Sequence, residues 1–392
     1  MYFKETLIFH SGNGANYRIP SVIATNKGTL IAVCNDRRNS LSDSCAEVTI
    51  TLCRKEADGE WSEVKLLQGK ENFCCGIGNA IYDAELDNII VFGGYGAIPR
   101  EEFKEYTKEE IEEHDRKVRE MAEAAGIKLG SYLIESKDDG NTWTETPYKV
   151  NPVKQIHTDG TEHTVSGGTH GAAHGIQLKN GQYKGRLISA SRTQIGKYST
   201  IDGLKEHVYN NAIYSDDHGK TWKTANCVQV GTGEGTLIEN ADGTLTYNSR
   251  AYFKDGKRRI ATSTDGGATW GNFRNDDFLE EEAFCGCNAS FLRVALEDIK
   301  DKSILPEGAK DVTVFCNPRA KTRDNMCACV SFDSGNTWSK VKVINPGHAA
   351  YSSLEWNPVT QKFCLLYETG EKHPYSDGIT AAEFDMEWLL SE

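Results

Sequence analysis

Four segments of this chain share one spacing, Ser-x-Asp-x-Gly-x-Thr-Trp: Ser136–Trp143, Ser215–Trp222, Ser263–Trp270 and Ser331–Trp338. A degenerate fifth, RKEADGEW, runs from Arg54 to Trp61. The pattern predicts that a strand ends at each Ser, that Asp and Gly make the turn, and that Thr-Trp begins the next strand. Asp suits the turn because its short side chain hydrogen-bonds nearby backbone, and Gly supplies a conformation other residues resist. The Trp carries enough apolar area to pin each hairpin against its own sheet. One Asp-x-Gly turn means little in a β protein. Four full matches separated by 79, 48 and 68 residues imply one small unit reused with insertions of different size. Radial repetition of four-stranded sheets is a β-propeller. The boxes are then scaffold, and the chemistry must lie in residues that do not repeat.

The intervening sequence agrees. SVIATNKGTLIAVC, NIIVFGG, GRLISASR, GTLTYNSR, DVTVFCN, MCACVSF and KFCLLYE are short β-branched or aromatic runs between Asn-Gly, Asp-Gly and Lys-Gly turns. One segment departs from this. Residues 100–126 are strongly charged and rich in helix formers, with Thr107 and Glu110 at capping-box spacing and Gly126 at the end. Phe103, Ile111, Val118 and Met121 recur at roughly helical spacing, so one or two amphipathic helices are expected here, inserted in a single 392-residue all-β domain.

The bulk numbers narrow the partners. Net charge is −13 with no basic tract to neutralise phosphates, which argues against nucleic acid. No apolar run approaches membrane-spanning length, and MYFKETLIFHSGNG has no basic region followed by an apolar one, so a cytoplasmic protein is expected. The twelve cysteines read as free thiols packed like small apolar residues. Cys74-Cys75 and Cys285-Gly-Cys287 are too tightly spaced for zinc. His170 and His174 have the spacing of a helical metal pair, but flanking glycines disfavour a helix. That stretch reads as a loop followed by a strand at 176–178, and no metal or organic cofactor is expected.

Three arginines stand outside the repeats: Arg18 in NYRIPS, Arg250 in TYNSRAY and Arg323 in KTRDN. Each sits beside a strand. A guanidinium is a planar fork matched to carboxylate, and three converging forks would hold one carboxylate tightly. The YRIP motif, the boxes, the NSR arginine and the YSSL segment before LLYE together resemble the exo-α-sialidases (neuraminidases) over nearly the whole chain.

That resemblance implies a six-bladed propeller with a central active site that removes terminal sialic acids from sialylated glycans with retention. It assigns Arg18, Arg250 and Arg323 to the sugar carboxylate, Tyr351 as nucleophile, Glu234 as its base and Asp43 as general acid and base. Glu368 would brace Arg18, Arg37 would reach the sugar's outer hydroxyls, and Asn79 falls near the rim of the N-acyl pocket. The chemistry is coherent. A carboxylate nucleophile would approach this anionic substrate against like charge, whereas a tyrosine hydroxyl avoids the repulsion. A phenol of pKa about 10 needs a base beside it. Asp43 must carry a proton to act as an acid, so it is expected to be buried. Three alternatives share the motifs: transfer to another sugar, action on a related nonulosonic acid, and a propeller that binds sialic acid without catalysis.

Overall fold

The computed structural model describes residues 1–43, 45–76, 78–96, 104–168, 173–198 and 200–392. Among these, strands form five sheets. A seven-stranded sheet runs, edge to edge, through Phe3–His10, Gly378–Asp385, Lys362–Gly370, Lys340–Asn357, Asp324–Ser331, Asp311–Pro318 and Ser290–Ala295. The first strand thus pairs antiparallel with the last, Phe3 opposite Phe384, which ties the two chain ends together. A nine-stranded sheet is built on Tyr17–Ala24, Leu30–Arg37, Val48–Lys55, Asn88–Gly96 and Gly130–Ser136. A five-stranded sheet centres on Leu187–Gln194 and Val208–Ser215, and a four-stranded one runs Thr232–Glu239, Leu245–Ala251, Lys257–Ser263, Gly271–Glu280. A small hairpin, Val153–Ile156 with Glu162–Val165, forms the fifth sheet.

The four boxes share one hydrogen-bonding pattern. In the box at 263, the Asp265 carboxylate accepts from Ser263 Oγ at 2.7 Å, Thr269 N at 2.9 Å and Thr269 Oγ1 at 2.6 Å. Ser263 Oγ in turn accepts from Gly267 N at 2.9 Å. The turn Gly has φ of +82°, +83°, +86° and +75° in the four boxes, a region where glycine has no steric cost. The backbone N–H and hydroxyl of Thr142 hold the Asp138 carboxyl down to about 2.

Two expectations about the boxes need correction. The following strand begins at Trp222 in one box, but only after the Trp in the others, at Thr144, Gly271 and Lys340. The Trp also does not pin its hairpin to its own sheet alone. Fully buried Trp222 joins Ile90, Phe92 and Leu133 of the nine-stranded sheet to Leu187 and Ile213 of the five-stranded one. Trp270 packs where the five- and four-stranded sheets meet, and Trp338 where the four- and seven-stranded sheets meet. Trp222 Nε1 donates to Gly219 O at 2.9 Å, folding the indole back under the turn and into the seam. Even the degenerate box follows the pattern: Trp61 packs on a cluster that joins Val22 and Leu30 to Leu366 and Ile379.

Among the described residues the charged insertion contains one helix, Lys108–Ala124, capped at Thr107 with the Glu110 capping box complete. It ends as expected at Gly126 (φ +66°), where Ile127 N donates to Ala122 O. Val118 and Ala122 are its buried residues, whereas Met121 is exposed; residues 100–103, including Phe103, lie outside the described residues. The register places Arg37 opposite Val48, Val48 opposite Cys74 and Cys74 opposite Gly96. The insertion therefore leaves the sheet at the end that carries Arg37. All twelve cysteines are free, and no described helix is long and apolar enough to cross a membrane.

Candidate functional site

The candidate residues come from strand ends that depart from regular pairing. Register slips occur between Arg18 and Ser21, between Thr232 and Gly235, and between Ala349 and Ser352. Glu234 and Tyr351 lie inside two of these irregularities, and Arg18 borders the third. A bulge bends a strand and re-aims a side chain, which is why bulges gather at active sites. Beside Arg18, Ile19 has φ +62°, a strained value for a β-branched residue. Glu234 lies between glycines for a steric reason. A Cβ at Gly233 would fall 1.9 Å from Tyr252 Oη, and one at Gly235 2.4 Å from Tyr247 Cε1.

Glu368, fully buried, holds the strained turn. Its Oε1 accepts from Arg18 Nε at 2.6 Å and from Ile19 N at 2.9 Å, and its Oε2 accepts from Tyr351 N at 3.1 Å. One carboxylate thus ties Arg18 to the backbone of Tyr351. The Tyr351 hydroxyl donates to Glu234 Oε1 at 2.9 Å and accepts from Arg250 Nη1 at 2.7 Å, while Arg250 Nη1 also reaches Glu234 Oε2 at 2.5 Å. The Cζ atoms of Arg18, Arg323 and Arg250 lie 5.6, 5.4 and 5.9 Å from the Tyr351 ring centroid. Burial pushes the phenol well above its ordinary value; Arg250 and Arg323 pull against that, while Glu234 adds to it. The balance leaves Tyr351 protonated at rest, with its proton directed at Glu234.

Behind this group stand residues that sequence reasoning missed. Arg250 Nε donates to Cys285 O at 2.7 Å, and Cys285 Sγ lies 3.2 Å from Arg250 Nη2. The buried pair Arg258–Glu281, 2.6 Å apart, holds the Cys287 carbonyl through Arg258 and the Ala251 N–H through Glu281. Tyr375, in the turn after Lys362–Gly370, lies against Arg18 with its ring centroid 4.0 Å from Cζ. Nothing in the sequence flagged these groups, because each acts on the site through a neighbour. The Cys285-Gly-Cys287 spacing drew attention only as a rejected metal motif. Among the described residues, no group of three or more His, Cys, Asp or Glu is arranged to hold a metal.

Arg37 and Asp43 form a separate pair, Nη1 to Oδ1 at 2.6 Å. Arg37 is buried and also donates to Leu41 O, but the Asp43 side chain is 78% exposed. The burial expected of Asp43 is absent among the described residues, where its side chain stands exposed beside Arg37. Asn79 is buried and donates from Nδ2 to Ala173 O at 2.9 Å, so its amide is turned to backbone. His170 lies outside the described residues. His174 is buried 3.5 Å from Glu355; burial lowers the imidazole to about 4 and raises the Glu355 carboxyl to about 7.

Comparison with known proteins places this geometry in a family. The model of the BNR repeat-like domain matches residues 117–361, more than half of the chain. A sialidase from Micromonospora viridifaciens is 29% identical over 99% of this chain, which spans 54% of that relative's length. Among solved structures, a Hadza microbial sialidase superposes with TM-score 0.67 at 21% identity, covering 95% of this chain and 66% of its own. The intramolecular trans-sialidase from Ruminococcus gnavus, solved with oseltamivir carboxylate, gives TM-score 0.69 at 16% identity and 98% coverage of both. The chain therefore belongs to the BNR repeat-like family.

Proposed function

We propose that this protein is a retaining exo-α-sialidase acting on the terminal sialic acids of glycans, and that its sheets close into a six-bladed propeller. The seams support the closure. The seven- and nine-stranded sheets each divide into two units of about four strands, the four box tryptophans lie between successive units from the first to the fifth, and Trp61 lies between the first unit and the last. The single observation that carries the chemical reading is the triangle of Tyr351, Glu234 and Arg250 beneath two further guanidiniums.

In this reading Arg18, Arg250 and Arg323 orient the sugar carboxylate and offset its charge. Tyr351 Oη attacks the anomeric carbon as Glu234 takes its proton, and Asp43 protonates the departing glycosidic oxygen. The C–O bond to the aglycone breaks as the bond to tyrosine forms. Water then attacks the same carbon, giving its proton to Asp43, while the phenolate leaves and recovers its proton from Glu234. Two inversions give net retention. Asp43 is exposed and paired with Arg37 without ligand, so the bound sugar would supply the desolvation that protonation needs. Arg37 would meet the outer hydroxyls, and Asn79 would border the N-acyl group. No cofactor enters any step.

The test is a panel of α2,3-, α2,6- and α2,8-linked sialosides with product identification. Released sialic acid of retained anomeric configuration is expected from the wild-type protein, and none from Tyr351→Phe. Elongated or anhydro products would replace hydrolysis by transfer. Unchanged turnover by Tyr351→Phe would refute the mechanism.

A further inference from the structure

Arg18 is held at its Nε edge by Glu368, but one salt bridge does not fix the plane of a guanidinium, which can still rock about that contact. A second contact addresses this. The Tyr375 ring centroid lies 4.0 Å from Arg18 Cζ, closer than the 5.6 Å to Tyr351, and within stacking range. Among the described residues the Nε bond to Glu368 is the only hydrogen bond made by this guanidinium, so its two Nη groups form the edge left for a ligand. A fork serves bidentate recognition only if its plane matches that of the carboxylate.

The ring is itself held in place. Tyr375 belongs to a tight turn in which Ser376 N donates to His373 O at 3.0 Å and Asp377 N to Thr369 O at 3.1 Å. Ser376 Oγ accepts from Lys372 N at 3.2 Å and donates to Asp377 Oδ1 at 2.8 Å. Ser11 N caps the turn from the first strand by donating to Asp377 O at 2.9 Å. The His373 ring lies 4.8 Å from the Tyr375 ring, and Tyr375 packs on Ile19, Cys287, Ala350 and Tyr351. A ring seated this firmly, half-buried and against a charged group, is arranged to constrain that group.

Resting on the functional reading above, we propose that Tyr375 is a positioning residue for substrate carboxylate. Its face fixes the guanidinium plane of Arg18 so that both Nη groups meet the carboxylate together. The interaction needs the ring and not the hydroxyl. It acts on binding of the anionic group and not on the attack by Tyr351, whose hydroxyl is held by Glu234 and Arg250.

The test compares wild type, Tyr375→Phe, Tyr375→Leu and Tyr375→Ala. Each is assayed for KM and kcat on a sialoside, and for affinity toward a 2,3-unsaturated sialic acid and its neutral carboxamide. Tyr375→Leu retains bulk without a π face, so it remains informative if the alanine variant does not fold. The expected result is that Leu and Ala raise KM and the acid's Kd about tenfold with kcat within twofold, that Phe matches wild type, and that carboxamide affinity is unchanged throughout. Equal losses for acid and carboxamide, a Phe variant as weak as Leu, or wild-type acid affinity in the Leu variant would each overturn the role of Tyr375. Failure of the functional reading looks different: wild-type protein that neither turns over sialosides nor binds the acid overturns both.

Discussion

Replacing Glu368 by glutamine changes a few atoms and removes a charge at a place with no room for compromise. In the native protein the carboxylate accepts three hydrogen bonds, from Arg18 Nε, Ile19 N and Tyr351 N, in a site closed to water. Glutamine has one oxygen. If that oxygen faces Arg18 and Ile19, its NH2 faces the Tyr351 N–H, donor against donor; if it is flipped, two donors lose their acceptor. Either way a buried donor goes unpaired, at a cost of about 1–3 kcal/mol. The Arg18 guanidinium also keeps its charge at 6% exposure without a counter-charge. Breaking a buried pair from one side typically costs about 3–5 kcal/mol. These penalties overlap, so a loss of about 3–5 kcal/mol in unfolding free energy is expected, read as a lower denaturant midpoint at unchanged slope. Because Ile19 holds a strained φ of +62° only while its N–H is anchored, Arg18 should also lose its aim, and KM for a sialoside should rise with the fall in stability. A Glu368→Gln protein within about 1 kcal/mol of wild type, with normal KM, would show that the three hydrogen bonds do not hold the clamp.

Other expectations follow from the same geometry. Asp43→Ala should slow hydrolysis of natural sialosides by about 100- to 10,000-fold while sparing an activated aryl sialoside, whose leaving group needs no proton; equal losses on both would refute an acid role. Asp265→Ala removes three hydrogen bonds from a box turn and should cost about 1–3 kcal/mol of stability without changing KM, because the box lies in the scaffold. The box carboxyls of Asp138, Asp217, Asp265 and Asp333 are held below their ordinary range, so their contribution to stability is complete above the unfolded value of about 3.9. It should be lost as pH falls through the lower folded values, and acid titration of the melting temperature below about pH 4 should show the drop, smaller in Asp265→Ala. With twelve free cysteines and no disulfide, a reductant should leave the melting temperature unchanged.

Much of this molecule is written locally. A turn of the form Ser-x-Asp-x-Gly-x-Thr-Trp encodes much of its own conformation, because the hydrogen bonds that its Ser hydroxyl and Asp carboxylate make to one another, to the Gly N–H and to the Thr join residues no more than four positions apart. The strands, the capped helix at Lys108 and the residue types able to hold a carboxylate were legible for the same reason. Arg18, Glu234, Arg250, Tyr351 and Glu368 were singled out in the sequence, and the fold brings all five into one hydrogen-bonded group. What the sequence could not supply was how they are aimed. Glu368 lies 350 residues from the arginine it holds, and the bulges that turn Glu234 and Tyr351 inward come from pairing between strands, which no local pattern records. The same holds for Asp43, which stands exposed beside Arg37, and for Trp222, which packs on residues of a second sheet as well as its own. Tyr375 carries no motif and matters only because a turn sets its ring on Arg18. Local hydrogen bonds specify the repeated unit, and long-range packing alone determines where the unrepeated side chains point.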